Sequence, residues 1–330
     1  GLDQYSQVSL LGEGGFGQVY RAVDSSLGRA VAIKMPHIEL LRDANFRLQF
    51  QDEARTAAKL DHPNIVRIYR IESIEHTPFI EMELVEGKTL AQLLDEHGRY
   101  TPEDALRIIH PVCEALDYAH RKGVIHRDIK PANILVRDDD GRVLVTDFGL
   151  AKATESSFQA SLSSSNVVVG TFRYMPPEQA NKRLGKLGPA ADIYSLGVVL
   201  YEMLTGRVPF VSDSVGELIY LHTSAPPEPP SNINVNLDWR VEKVVLKALE
   251  KRPEDRFATA GELADALRRA IAGEDVVGGM QADAAADDAP LVAQVVRAAS
   301  VASGIMDAAE EADLLILGAS STAMLERPVY

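Results

Sequence analysis

The string Gly12-Glu13-Gly14-Gly15-Phe16-Gly17 narrows the architectures open to this chain more than any other feature. Three glycines at this spacing let backbone amides approach phosphate oxygens, and the dinucleotide-binding crossover uses the same string at the start of a helix. Here the continuation Gln18-Val19-Tyr20-Arg21-Ala22-Val23 alternates polar and apolar residues, the period of a strand. Strand, loop and strand make a flap over phosphates rather than a Rossmann turn. A plain Gly-rich hairpin explains the string equally well until a partner for phosphate is found. Val31-Ala32-Ile33-Lys34 supplies one, because its lysine ends an apolar strand beside the flap. Most lysines are surface residues, so Lys34 by itself is weak. A helix read over residues 45–60 offers Glu53 as the acid that orients Lys34, whereas Asp52 points roughly 100° away around the helix. Gly87-Lys88-Thr89 is not a Walker loop, since that motif needs glycine where Met82 stands.

The rest of the chain falls into two textures. Strands fit residues 65–71 and 79–84, so the first 85 residues read as a small sheet carrying one long helix. After Gly87 helices dominate. Thr101 caps a helix with Pro102 in its first turn, and Leu106, Ile109, Cys113 and Leu116 share one face. Pro111 is expected to kink it. Further helices fit residues 190–204, 238–249 and 260–271. Residues 273–290 read as a Gly/Ala/Asp linker, and the pattern of strand, helix and strand returns over residues 291–330.

A length of 330 residues fits about two folded units. Acids outnumber bases 48 to 34, which argues against a nucleic-acid partner. Residues 273–330 hold ten of those acids and two of the bases, so the excess sits in the tail. One cysteine, Cys113, excludes an intrachain disulfide framework and fits a reducing compartment. No run approaches the ~18 apolar residues of a membrane helix. A cytoplasmic enzyme is the expectation, with attachment through a segment outside this chain left open.

His126-Arg127-Asp128-Ile129-Lys130-Pro131-Ala132-Asn133 is followed, fourteen residues after Asn133, by Asp147-Phe148-Gly149. From about residue 5 to residue 270 the chain resembles a eukaryotic-type Ser/Thr protein kinase of the kind bacteria also encode. The ordered set of flap, lysine, catalytic loop and metal triplet is highly specific. The resemblance implies an α+β bilobal fold, with an N-lobe at 5–86 and a C-lobe at 87–272. It implies Asp128 as acceptor of the substrate hydroxyl's proton, Lys130 on the transferred phosphate, and Asn133 and Asp147 as ligands of Mg²⁺, with Mn²⁺ as an alternative. Lys34 would hold the α- and β-phosphates of ATP, oriented by Glu53. Leu11, Gly12, Gly14 and Gly17 would cover the nucleotide. Val19, Ala32 and Leu135 would sandwich adenine, with Met82 as gatekeeper and the backbones of Glu83 and Val85 at its edge. By composition alone these apolar positions are equally ordinary core. Lys130, and Gly170-Thr171 ahead of Pro177-Glu178, mark the Ser/Thr branch.

Other members carry structural expectations. His126 is read as a packed residue beside Phe148, Asp192 as a tie on the catalytic-loop backbone, and Glu178 with Arg256 as a buried ion pair. Arg127 awaits a phosphorylated loop, and Ser163 and Ser165 fall where related kinases carry phosphosites. Two departures stand out: Pro176 replaces the usual alanine or serine before Pro-Glu, and Tyr194 replaces a common tryptophan. Residues 291–330 resemble a fragment of a universal-stress-protein domain, with a generic regulatory tail as the alternative.

The expected activity is γ-phosphoryl transfer from Mg·ATP to protein Ser/Thr hydroxyls, with autophosphorylation through self-association as its first reaction. Two rivals are a nucleotide-binding pseudokinase scaffold, against which Lys34, Asp128, Asn133 and Asp147 count, and a tail-regulated sensor.

Overall fold

The computed structural model describes residues 4–14, 17–74, 77–148 and 169–275. Its N-terminal lobe is an antiparallel sheet of β1 (Tyr5–Gly14), β2 (Gly17–Asp24), β3 (Arg29–Pro36), β4 (Ile68–Ile74) and β5 (Thr77–Glu83), in the order β1-β2-β3-β5-β4. β1 and β2 pair from Tyr5 opposite Asp24 to Gly14 opposite Gly17, so the glycine string closes a hairpin. Across β3, Val19 lies opposite Lys34 and Ala32 opposite Met82. A Cβ on Gly17 would sit 2.0 Å from the Met35 carbonyl oxygen, so only glycine lets β2 approach β3 there.

Helix α1 (Ala44–Ala57) starts where the Asp43 carboxylate accepts from the Asn45 amide. It packs Phe46, Phe50 and Ala54 against Leu41 and Ile80. The helix stops short of residue 60 and β4 begins at Ile68 rather than 65, for one reason. The intervening segment bonds to the other lobe: Val66 N donates to Val145 O (3.0 Å), Val145 N to Asn64 O (2.9 Å) and Asn64 Nδ2 to Val143 O (2.7 Å).

The second lobe opens with a small sheet, order β6-β7-β8, of β6 (Gly87–Thr89), β7 (Ile134–Arg137) and β8 (Val143–Val145). Helices α2 (Leu90–His97), α3 (Pro102–Arg121), α4 (Pro189–Thr205), α5 (Val215–Ser224), α6 (Trp239–Ala248) and α7 (Ala260–Ile271) make the rest. The α4 helix is apolar nearly all round and buried accordingly, as a central helix must be. Gly197 allows its close approach to α6, since a Cβ there would meet the Ala248 Cβ at 2.8 Å. Helix α3 runs through Pro111 without ending there. The carbonyl that Pro111 cannot serve belongs to exposed Arg107, while Ile109, Val112, Cys113 and Leu116 stay buried on the core side. No helix among the described residues is long and apolar enough to cross a membrane. The expected fragment at 291–330 lies outside the described residues, as does the linker from residue 276 onward.

Candidate active site

The loop from His126 to Asn133 is held by one carboxylate. Asp192, fully buried in the first turn of α4, accepts from the backbone amides of His126 (2.8 Å) and Arg127 (2.7 Å). His120 of α3, which the sequence reading left without a role, donates from Nε2 to the same carboxylate at 2.7 Å. Arg127 is thereby fixed with φ 69°, a left-handed conformation costly for a side chain with a Cβ. His126 accepts the Asp128 amide at Nδ1 (3.2 Å), which places its proton on Nε2, where it donates to the Thr146 carbonyl (2.8 Å). Its ring meets Phe148 edge-on at 4.7 Å.

These supports aim three polar side chains at one point. Asp128 Oδ2 accepts from Lys130 Nζ (2.7 Å) and Asn133 Nδ2 (3.1 Å), and Asn133 Nδ2 also donates to the Asp128 carbonyl (2.7 Å). With its nitrogen committed, Asn133 has its carboxamide oxygen to offer a ligand. Asp147 shares the strained geometry of Arg127, at φ 67°. Burial alone would raise its carboxyl, but the charge and hydrogen bond of Lys34, with His126 and Lys130 behind, hold it below the usual carboxylate range.

Lys34 also reaches across to the second lobe. Its ammonium forms an ion pair with Asp147 Oδ2 at 2.7 Å. Glu53 is buried on the inner face of α1, whereas Asp52 is exposed and pairs with Arg55.

Above the loop, Ala32 and Met82 join one apolar cluster with Val19, Val85 and Leu135, fed by β2, β3, the β5 end and β7. Leu144 and Val66, unremarked in the sequence, complete it. Behind Met82 a cavity of about 20 Å³, room for about one water, is bounded by Thr146, Asp147 and Phe148. Leu11 stands exposed on β1, and Gly12 and Gly14 face open space.

Away from the cleft, Arg256 meets Glu178 through two bonds of 2.8 Å, both side chains fully buried. Its remaining donors reach the carbonyls of Glu250, Ala190 and Lys251. Ser163, Ser165 and the Thr171 side chain lie outside the described residues. Among the described residues no carboxylate pairs with the Arg127 guanidinium.

Comparison with known proteins follows the same lines. A model of the protein kinase domain matches residues 5–267. The serine/threonine-protein kinase PknB of Mycobacterium leprae is 41% identical over 276 residues, covering 82% of this chain and 44% of that protein. A probable serine/threonine-protein kinase PknB of Corynebacterium glutamicum is also 41% identical over 276 residues, covering 81% and 42%. This chain thus spans about two fifths of the length of those relatives. The crystal structure of the Mycobacterium tuberculosis PknI kinase domain superposes with a TM-score of 0.65 at 27% identity, over 82% of this chain and 97% of that one.

Proposed function

The chain belongs to the protein kinase domain family, and from that membership we propose that it transfers the γ-phosphoryl group of ATP to serine or threonine hydroxyls of proteins. One observation carries the reading: Lys130 and Asn133 both converge on Asp128 Oδ2, while Lys34 holds Asp147 across the lobes. In phosphoryl transfer, charge spreads over the moving group, so positioning and electrostatic stabilisation do most of the work.

Each side chain has a task in that scheme. The Asp128 oxygen not engaged by Lys130 and Asn133 receives the attacking hydroxyl's proton. Lys130, on the same carboxylate, is placed to follow the phosphoryl group as negative charge grows on it. Lys34 exchanges its bond to Asp147 for the α- and β-phosphates, with Glu53 as the acid that steadies it. The apolar cluster of Val19, Ala32, Met82 and Leu135 takes adenine, and the backbones of Glu83 and Val85 read its edge.

The donor set fits Mg²⁺, or Mn²⁺ in its place. Asp147 and Asn133 offer two hard oxygens, and no group of three His, Cys, Asp or Glu among the described residues forms a cage. Two protein ligands suit an ion that completes its shell with phosphate and water. When bound, such an ion neutralises charge on the phosphate oxygens.

Autophosphorylation between copies is the first reaction in this reading, with Ser163 and Ser165 as acceptors and Arg127 as the cation that their phosphates would engage. Incubation with radiolabelled ATP tests the whole: label enters the unaltered chain and is lost in Asp128→Asn and Lys34→Met. Label that survives both substitutions contradicts these roles. Mass spectrometry that maps no phosphate between residues 152 and 170 contradicts the acceptor assignment.

A further inference from the structure

The register of the N-terminal sheet sets the glycine hairpin beside the lysine assigned to phosphate. Val19 lies opposite Lys34, and Gly17, two residues earlier, lies opposite Pro36 at the end of β3. Little holds the closed end of that hairpin. β1 is an edge strand, exposed from Ser6 to Gly14, and Gly12 and Gly14 face open space. Glycine backbone also has the most conformational freedom to lose when it is fixed.

The stretch Met35-Pro36-His37 supplies the restraint. Gly17 packs directly on the Met35 carbonyl and the Pro36 Cα. Just beyond, His37 Nε2 lies 2.7 Å from the Gly14 carbonyl oxygen. A carbonyl only accepts, so His37 donates, and its Nε2 carries a proton. The Glu13 carboxylate stands 3.9 Å from the same nitrogen, outside hydrogen-bond reach, so this N–H serves the backbone. His37 is itself well placed. Buried Pro36 precedes it with a fixed φ, and its carbonyl accepts from Leu40 N at 3.1 Å in a turn ahead of α1. Only 27% of the side chain is exposed, so water competes only in part for the bond.

We propose that His37 is a positioning residue for the glycine flap: by donating to the Gly14 carbonyl it seats the closed end of the hairpin on the end of β3, and so sets how firmly the phosphates of a nucleotide are covered. This rests on the kinase reading above only as far as nucleotide binding, and not on phosphoryl transfer. His37 touches no reacting atom. It acts through Gly14, by reducing the freedom that the flap must give up when its amides close on phosphate. The effect is therefore confined to ligands that carry phosphates.

Titration calorimetry of the 330-residue chain with two probes tests this: ATP with Mg²⁺, and adenosine, which fills the apolar cluster but gives the flap nothing to hold. His37→Leu removes the donor and keeps an apolar side chain of comparable bulk. Its affinity for Mg·ATP should fall about fivefold, the scale of one neutral hydrogen bond, while its affinity for adenosine stays unchanged. His37→Gln, which again presents an N–H, should recover most of the loss. An unchanged Mg·ATP affinity in His37→Leu overturns the proposal. An equal loss for adenosine also overturns it, because the effect then lies in the fold and not in the flap, as does a Gln variant as weak as the Leu one. The kinase reading fails separately: an unaltered chain that binds Mg·ATP yet transfers no label to itself or to any Ser/Thr peptide is not a kinase, and the two-probe comparison still decides the role of His37. An unaltered chain that binds neither probe overturns both.

Discussion

The Lys34 ammonium stands 2.7 Å from Asp147 Oδ2, joining the third strand of the N-terminal sheet to the segment just after β8. Two groups assigned to different tasks, phosphate binding and metal binding, thus neutralise each other. Lys34→Met should reduce phosphoryl transfer by about 10²–10³-fold, the scale of removing one preorganised charge-stabilising group. It should also raise the Asp147 carboxyl, since burial then acts without its main counterweight. Carbon-13 NMR of labelled Asp carboxyls reads the second effect; a titration of Asp147 that does not move would contradict it.

Asp192→Asn replaces an acceptor-only group with one that presents an N–H to the loop. One of the amides of His126 and Arg127, or the His120 Nε2–H, then faces a donor. The expected cost is about 1.5–3 kcal/mol of stability, read by urea unfolding, because bonds to a charged group are lost. Turnover should fall as well, since the left-handed backbone at Arg127 loses its restraint.

Arg256→Lys should destabilise by about 3–5 kcal/mol in urea. All five guanidinium N–H groups are engaged, two on Glu178 and three on carbonyls, and a lysine has three donors without the fork. A loss below 1 kcal/mol would show the pair to be dispensable.

Acid should weaken the fold through His222. Its imidazole titrates at about 3 in the folded chain against an ordinary value near 6.5. Between those values the unfolded chain binds a proton that the folded one does not. Stability should therefore fall with pH by up to about 1.4 kcal/mol per unit across this window, and be unaffected by this group above it. The difference between the unaltered chain and His222→Asn, followed by chemical unfolding from pH 7 to pH 4, isolates the contribution.

The sheet, the long helix and the loop residues were legible because each announces itself locally: alternation in Gln18–Val23, helical spacing from Phe46 to Ala57, and an ordered motif from His126 to Asp147. The α2 and α5 helices were not foreseen. α5 has a weak apolar period, burying only Leu218 and His222, and α2 is only eight residues long. What sequence could not give was partner choice. The ion pair of Lys34 with Asp147, 113 positions away in the chain, has no local signature. Likewise His120 and His222 looked like unremarkable histidines, because their partners Asp192 and Tyr194 are 72 and 28 residues distant.

The three bonds from Asn64 and Val66 to β8 bear on how the cleft can breathe. They fasten the entry to β4 onto the helical lobe, so this stretch cannot travel with the sheet when the sheet tilts. Any tilt of the sheet must then be absorbed as torsion ahead of the anchor, between Ala57 and Asp61, because the Arg67 carbonyl already accepts from Glu83 N at 2.8 Å and moves with the sheet.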